Sequence, residues 1–345
     1  GKVTPKNSII MLIALILGLA IPAGILFLLE FFRYKIEGHN DVAKLTNLPI
    51  IADVAIASER AKTKADIVVH ENKNNLMEEI FRSLRTNLQF LLKEHDKVIM
   101  FTSTTSGEGK TFIASNVAIS FALLGKKVVL VGLDVRKPRL AELFEIDDHH
   151  HGITNLLVKD EVNWSDVKEQ IIPSGINDKL DILMAGPVPP NPGELVTRES
   201  LDQTMEQLKE HYDYILIDTA PVGLVTDTLA LGRISNATVY VCRADFTQKA
   251  SFGLINSLSM EKKLPNMSIV LNGVDLSMKK YGYYYGYGKY GKYGKYGNYG
   301  MYGMYGSKGK YGNKSYGYGS YGSYGSYGNY SKSRYGDIND DSVKK

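Results

Sequence analysis

The residues with the strongest chemical reading form one octapeptide, Thr104-Thr105-Ser106-Gly107-Glu108-Gly109-Lys110-Thr111. A phosphate-binding loop reads G-x-x-x-x-G-K-[ST] between a strand and a helix. Its last three positions match here, and Thr104 stands where the first glycine is usual. Gly107 and Gly109 let the backbone curl until successive N–H groups face one anion at the positive end of a helix. Ser106, Gly107, Glu108, Gly109, Lys110, Thr111 and Phe112 are the expected nucleotide contacts, with Lys110 reaching the β- and γ-phosphates and the Thr111 hydroxyl a ligand for Mg²⁺. Tyr214-Ile215-Leu216-Ile217-Asp218 is an apolar strand ending in an acid, and a carboxylate at the carboxyl end of a parallel strand lies beside the ligand crevice. Val128–Val131 runs into Gly132-Leu133-Asp134-Val135-Arg136-Lys137-Pro138, where Asp134 can meet Mg²⁺ or its water shell and Arg136 offers a fixed cation to phosphate. The bland reading of that last segment is a loop at the sheet edge with a surface ion pair.

These residues need a frame. Val98–Thr102, Val128–Val131, Leu180–Met184, Tyr214–Ile217, Thr238–Cys242 and Ser268–Leu271 are short apolar runs, and helical patterns such as Lys110–Leu124, Ser200–Tyr212 and Thr247–Lys263 fall between most of them. Unalternated apolar strands separated by helices predict an α/β fold with a mostly parallel sheet covered on both faces. Asn75 reads as the N-cap of a helix whose Leu76, Ile80, Phe81, Leu84, Leu88 and Leu91 recur at helical spacing. The same helix carries Glu79, Arg82 and Arg85, read either as a solvated face with weak ion pairs or as an intersubunit contact. Upstream, Ile9 to Leu29 is 21 residues without a charge, long enough to cross a hydrocarbon core; a buried core helix is the alternative. Lys2 and Lys6 before it and Arg33 and Lys35 after it balance, so no orientation follows. The chain starts at Gly1, from which an upstream region with an earlier span is expected. Residues 36–75 read as a juxtamembrane connection, with a short strand at Pro49–Val54.

Composition divides the chain sharply. Residues 281–345 hold 19 of the 23 tyrosines and 17 of the 33 glycines, with ten Lys/Arg against three Asp, a net charge of +7. The whole chain carries +4, so the remainder carries 4 − 7 = −3, which excludes a uniformly basic nucleic-acid-binding domain. Tyr287, Tyr290, Tyr293, Tyr296, Tyr299, Tyr302 and Tyr305 recur every third residue, each followed by Gly. With few aliphatic side chains and much glycine the segment is expected to be disordered. Alone it reads as an adhesive or phase-separating tract, or as a stacking RNA binder; beside a phosphoryl-transfer site it reads as an array of acceptors. A single cysteine, Cys242, excludes an intrachain disulfide framework and a multi-cysteine zinc site and is expected to be buried. His149-His150-His151 beside Asp147 and Asp148 is read as a loop rather than a metal cluster. Arg243 and Asp227 follow strand ends and can approach the nucleotide.

Taken in order, the apolar N-terminal segment, Glu79-x-x-Arg82-x-x-Arg85, the altered phosphate loop, Asp134-Val135-Arg136-Lys137-Pro138, Gly186-Pro187-Val188-Pro189-Pro190-Asn191-Pro192-Gly193-Glu194-Leu195, Asp218-Thr219-Ala220-Pro221 and the tyrosine-rich end resemble the bacterial tyrosine kinases of the polysaccharide co-polymerase type. The resemblance implies a P-loop fold preceded by a transmembrane helix (1–35) and a linker (36–75), with the kinase domain over 76–280 and a tail over 281–345. It implies ATP and Mg²⁺ as cofactors, Lys110, Asp134, Asp218 and Arg136 as the catalytic set, and Thr111, Asp134 and Asp218 around the metal. Glu79, Arg82 and Arg85 become the contact of a homo-oligomeric ring. A neighbour's tail is then the substrate, through Tyr287 to Tyr305 as above and Tyr311, Tyr316, Tyr318, Tyr321, Tyr324, Tyr327, Tyr330 and Tyr335. The implied setting is the bacterial inner membrane, with kinase and tail in the cytoplasm. The implied partners are polysaccharide polymerisation or export machinery, a cognate tyrosine phosphatase and membrane lipid, with no nucleic acid. Related ATPases use an Asn at the strand end occupied here by Asn272 to contact adenine; guanine binders use Asn-Lys-x-Asp, and Asn272-Gly273-Val274-Asp275 lacks the Lys. The family usually has Asp-x-Asp-x-Arg where this chain has Gly132 in place of the first acid. That departure keeps a rival open, a membrane-tethered ATPase scaffold whose nucleotide state sets assembly.

Overall fold

Strands β2 (Val98–Ser103) and β3 (Val128–Leu133) are buried at every residue, the condition of a parallel sheet with helices on both faces. They belong to one eight-stranded sheet with β1 (Ile50–Ala55), β4 (Ile172–Pro173), β5 (Leu180–Leu183), β6 (Tyr214–Thr219), β7 (Ala237–Arg243) and β8 (Met267–Val274), in the order β1-β8-β7-β2-β6-β3-β5-β4. All neighbours pair in parallel except β4 and β5. The computed structural model describes residues 7–31, 34–57, 67–70, 75–148 and 150–275. The tail tyrosines from Tyr287 to Tyr335, His149, and Lys2, Lys6 and Arg33 lie outside them.

Helix α1 spans Asn7–Phe31, α2 His39–Leu45, α3 Leu76–Leu91 and α4 Lys110–Leu123. The Asn75 side chain accepts a hydrogen bond from the Glu78 N–H at 2.8 Å and so caps α3, which removes one orphan donor of the first turn. Its apolar face, Met77, Ile80, Phe81, Leu84 and Leu88, is buried and packs on α4 and β1. Eleven of the residues of α4 are buried, so the helix that follows the phosphate loop is held from all sides. That immobility suits a helix whose first turn must hold a fixed anion geometry.

Three features differ from the sequence reading or add to it. The segment 36–75 is more than a connection: Ile36 and Val42 are fully buried and β1 forms the sheet edge beside β8. Ile67, Val68 and Val69, within the expected connection, are also buried, and the Val68 and Val69 N–H groups both donate to Asn116 Oδ1 on α4. Antiparallel β4 closes the other edge with only two residues, one of them Pro173, and proline is tolerated at an edge because no ladder donor is needed there. In α1 the side chains are described over 10–24 and are exposed there, among them Ile10, Met11, Leu12, Ile13, Leu15, Ile16, Leu17, Leu19 and Ile21. Within those side-chain-described residues no stretch is long and apolar enough to cross a membrane, although the helical backbone runs for 25 residues.

Candidate active site

β2 and β6 are neighbours, with Phe101 opposite Asp218, so the loop leaving β2 and the acid ending β6 meet at the carboxyl edge of the sheet. Gly107 (φ +92°) and Gly109 (φ +99°) take left-handed backbone in that loop. A side chain at Gly109 has no room, because its Cβ would lie 2.1 Å from Asn272 Nδ2. Immediately after it, α4 opens with Lys110, 7 % exposed, and Thr111. The Thr111 hydroxyl donates to Asp218 Oδ2 at 2.7 Å. Asp218 is 3 % exposed and its Oδ1 is buried with no hydrogen-bond partner. Burial pushes its carboxyl up to about 6, with Asp134 adding to the rise and the Thr111 hydroxyl and Lys110 opposing it.

The loop opens on a cleft of about 390 Å³ lined by Ser106, Gly107, Gly109, Lys110, Thr111 and Phe112 on one side. Asp134, Lys137, Arg139, Glu142 and Leu143 line it from beyond β3, and Arg243 from the end of β7. Four cationic side chains around a turn of backbone N–H groups at a helix N-terminus make an anion site. The unpartnered oxygen of Asp218 beside the Thr111 hydroxyl is a hard oxygen pair of the kind a Mg²⁺ ion and its waters accept, so these residues fit that ion.

Two expected nucleotide contacts have other work. Glu108 is fully buried and points away from the cleft: its carboxylate accepts from the Thr105 N–H at 2.7 Å and from the Thr247 hydroxyl. Asn272 donates its amide to the Glu108 carbonyl at 3.0 Å. Arg243 donates to the Gly107 carbonyl at 2.9 Å and lies over the Phe246 ring. The ends of β7 and β8 therefore clamp the phosphate loop by three separate hydrogen bonds. Nothing in the sequence marked Thr247 or the inward turn of Glu108.

Arg136 is engaged outside the cleft lining, its Nε and Nη2 both donating to Asp227 Oδ2 at 2.9 and 2.6 Å. A Cβ on Gly193 would sit 2.8 Å from Asp227 Oδ1, so the proline-rich segment folds over this ion pair. Asp134 accepts from the Lys137 N–H at 3.0 Å, and its own N–H donates to the Asp218 carbonyl at 3.1 Å. Gly132 leaves no space for an acid without movement, since a Cβ would be 3.0 Å from Leu140 Cδ1 and 3.2 Å from Ala185 N. Thr104, at the altered first loop position, hydrogen-bonds the Tyr240 hydroxyl at 2.9 Å.

On α3 the three charged residues separate. Glu79 and Arg82 pair at 2.9 Å on the outer face, whereas Arg85 turns inward and donates to the Ser120 carbonyl of α4 at 2.6 Å. At about 100° per residue, three and six positions on place Arg82 and Arg85 60° and 120° from Glu79, enough to carry Arg85 off the exposed side. Cys242 is buried, which pushes its thiol well up. His150 and His151 donate backbone N–H bonds to Asp148, whose carboxyl is thereby held down at about 2. Among the described residues no group of His, Cys, Asp or Glu forms a metal cluster.

Comparison with known proteins agrees with this geometry. Residues 96–269 match the family model described as an AAA domain. The chain is 30% identical over 226 residues to tyrosine-protein kinase YwqD of Bacillus subtilis, covering 65% of this chain and 93% of that one. It is 33% identical over 217 residues to tyrosine-protein kinase CpsD of Streptococcus agalactiae, covering 61% and 90%. The solved kinase domain of Escherichia coli tyrosine kinase Etk superposes with a TM-score of 0.59 at 26% identity, over 70% of this chain and 96% of that domain. With the phosphate loop, the Thr111–Asp218 pair and the parallel sheet in place, the chain belongs to the bacterial tyrosine-protein kinases and is an enzyme of phosphoryl transfer to tyrosine.

Proposed function

We propose that the cleft binds ATP with Mg²⁺ and passes the γ-phosphoryl group to tyrosines of residues 281–345 on a neighbouring copy in a ring. The observation that carries this reading is the Thr111–Asp218 pair, at 2.7 Å with one carboxylate oxygen left without a donor, at the mouth of the phosphate loop. Lys110 and the loop N–H groups would hold the β- and γ-phosphates, and Thr111 and Asp218 would hold the ion. Mg²⁺, when bound, spreads the charge that develops on the transferring group. Asp134, facing the cleft, accepts the phenolic proton. The phenol oxygen bonds to the γ-phosphorus as the bond from that phosphorus to the bridging oxygen breaks, and ADP leaves. Since such transfer depends mainly on positioning and charge neutralisation, the absence of an acid at Gly132 is compatible with activity. Arg136, tied to Asp227, acts by fixing the loop that carries Asp134.

The 25-residue helix Asn7–Phe31 would rise about 37 Å at 1.5 Å per residue, matching a hydrocarbon core. Its charge-free core supports a membrane anchor for residues 1–35, with 36–75 as the link, 76–280 as the kinase domain and 281–345 as the acceptor tail. The same reading places the enzyme at a bacterial inner membrane and makes polysaccharide assembly or export machinery and a tyrosine phosphatase its partners. The exposed Glu79–Arg82 pair supports a subunit contact on that face of α3.

The test is phosphotyrosine mass spectrometry on the full chain incubated with ATP and Mg²⁺. Wild type should carry phosphate in 281–345, and Lys110→Met should lose at least a hundredfold of it. Labelling that persists in Lys110→Met refutes the cleft as the donor site. Absence of label in both would return the ATPase-scaffold reading.

A further inference from the structure

The four cationic side chains that border the phosphate cleft do not stand alike. Arg243 ends β7 on one side of the loop and is held there by the Gly107 carbonyl, while Lys110 belongs to the loop itself. Asp218 on β6 and Asp134 beyond β3 lie on the other side, since the strands run in the order β7-β2-β6-β3. Lys137 and Arg139 line the cleft from that side, and among the described residues neither side chain has an ion pair or hydrogen bond. Arg136, the cation that the sequence offered to phosphate, gives Nε and Nη2 to Asp227 and does not line the cleft.

Arg139 is the better placed of the two free cations. With Asp134 and Glu142 it borders both the cleft and an adjoining recess at the ends of β3 and β6, whereas Lys137 borders the cleft alone. Its backbone is fixed from both sides. Pro138 before it has a locked φ, Leu140 after it is buried, and the Arg139 carbonyl accepts from the Leu143 N–H at 3.0 Å. A charged fork on a fixed backbone, with no other partner to leave, meets the requirement for a preorganised donor aimed at developing charge.

We propose that Arg139 is a catalytic residue, the guanidinium that contacts the equatorial oxygens of the γ-phosphoryl group in transit, in the role the sequence offered to Arg136. The inference rests on the kinase reading of the cleft. The bond from the phenol oxygen to the γ-phosphorus forms as the bond from that phosphorus to the bridging oxygen breaks, and the phenolic proton goes to Asp134. Arg139 exchanges no proton and forms no covalent bond. It donates two parallel N–H bonds to oxygens over which the charge of a loose transition state is spread. Lys137, a flexible point charge, cannot match that planar pair.

The experiment uses the full chain with Arg139→Ala and Arg139→Lys. Because the side chain is exposed and unpaired among the described residues, both variants should unfold within about 2 °C of wild type. Calorimetric affinity for Mg²⁺·ADP should change less than about threefold in Arg139→Ala. Affinity for Mg²⁺·ADP with tetrafluoroaluminate, a planar mimic of the group in transit, should fall at least about thirtyfold. The kcat of phosphotyrosine formation should fall about a thousandfold, with KM for ATP within about threefold; Arg139→Lys, which keeps the charge and loses the fork, should still lose at least about tenfold. Equal losses for the two nucleotide complexes, or a wild-type kcat in either variant, overturn the proposal. Labelling lost in Lys110→Met but kept at the wild-type rate in Arg139→Ala sinks this inference alone, whereas labelling kept in Lys110→Met sinks the cleft reading beneath it. In a chain that labels no tyrosine, the two titrations still decide whether Arg139 meets a planar phosphoryl group.

Discussion

Asp218→Asn separates what the acid does for binding from what it does to the fold. Asp218 is buried, one oxygen accepts from Thr111, the other has no hydrogen-bond donor, and burial pushes its carboxyl up to about 6. An unfolded aspartate titrates near 3.9. The native state therefore holds the proton more tightly than the unfolded chain, and ionising this group disfavours folding. Below about pH 4 both states are protonated and the penalty is absent. It grows between about pH 4 and 6 and is complete above, reaching about two pKa units, or about 3 kcal/mol. Asparagine is nearly isosteric, still accepts from the Thr111 hydroxyl and carries no charge. Asp218→Asn should thus stabilise the nucleotide-free protein by about 3 kcal/mol at pH 7.5, a rise in Tm of roughly 6–12 °C for a domain of this size. Near pH 4 the gain should vanish. The assay is thermal unfolding of both proteins in chelator across pH 4–8, paired with phosphotyrosine formation, which the variant should lose. A gain independent of pH, or none at pH 7.5, would refute the assignment of a buried, poorly compensated carboxylate.

Other substitutions test the loop and α3. Gly109→Ala places a Cβ 2.1 Å from Asn272 Nδ2 at a φ of +99°; it should cost about 1–3 kcal/mol and weaken ATP binding at least tenfold in a calorimetric titration. Arg85→Ala removes a charged donor from the Ser120 carbonyl and should lower stability by about 1.5–3 kcal/mol, read from the urea midpoint. Arg82→Ala breaks only an exposed pair and should change stability by less than about 0.5 kcal/mol; the proposed ring contact predicts in addition a lower mass by light scattering, and matching stability losses in the two variants would contradict the inward turn of Arg85.

Much of the frame was legible because it rests on uninterrupted apolar runs and on punctuation. The runs at Val98, Val128, Leu180, Tyr214, Thr238 and Ser268 each became a strand with bounds within three residues of those expected, and Asn75 caps the helix it was expected to cap. Strand order was not readable, since a run of Val and Ile states that it is buried but not beside which neighbour. The short elements escaped for the converse reason. Ile172–Pro173 has no periodicity to detect, and Ile67–Val69 is buried in the middle of a polar stretch because Asn116 on α4 supplies a partner for two backbone donors.

The site was legible wherever the backbone itself makes the chemistry, and opaque wherever a side chain had to choose a direction. Gly107, Gly109, Lys110 and Thr111 announce a phosphate turn because glycine takes a positive φ without steric cost and because helix starts attract anions. Glu108 sits between them with the same sequence signal as a solvated acid, yet turns inward since Thr105 N–H and the Thr247 hydroxyl offer its carboxylate two donors in a dry pocket. Asn272 and Arg243 follow the same logic, giving their donors to loop carbonyls left over by the tight turn. A loop that presents its N–H groups to a ligand must direct several carbonyls elsewhere, and those carbonyls need donors. Strand-end polar residues on the neighbouring strands are therefore required by the phosphate turn, and in this chain β7 and β8 provide them. Weakening that clamp should loosen the turn before it touches any group that reacts.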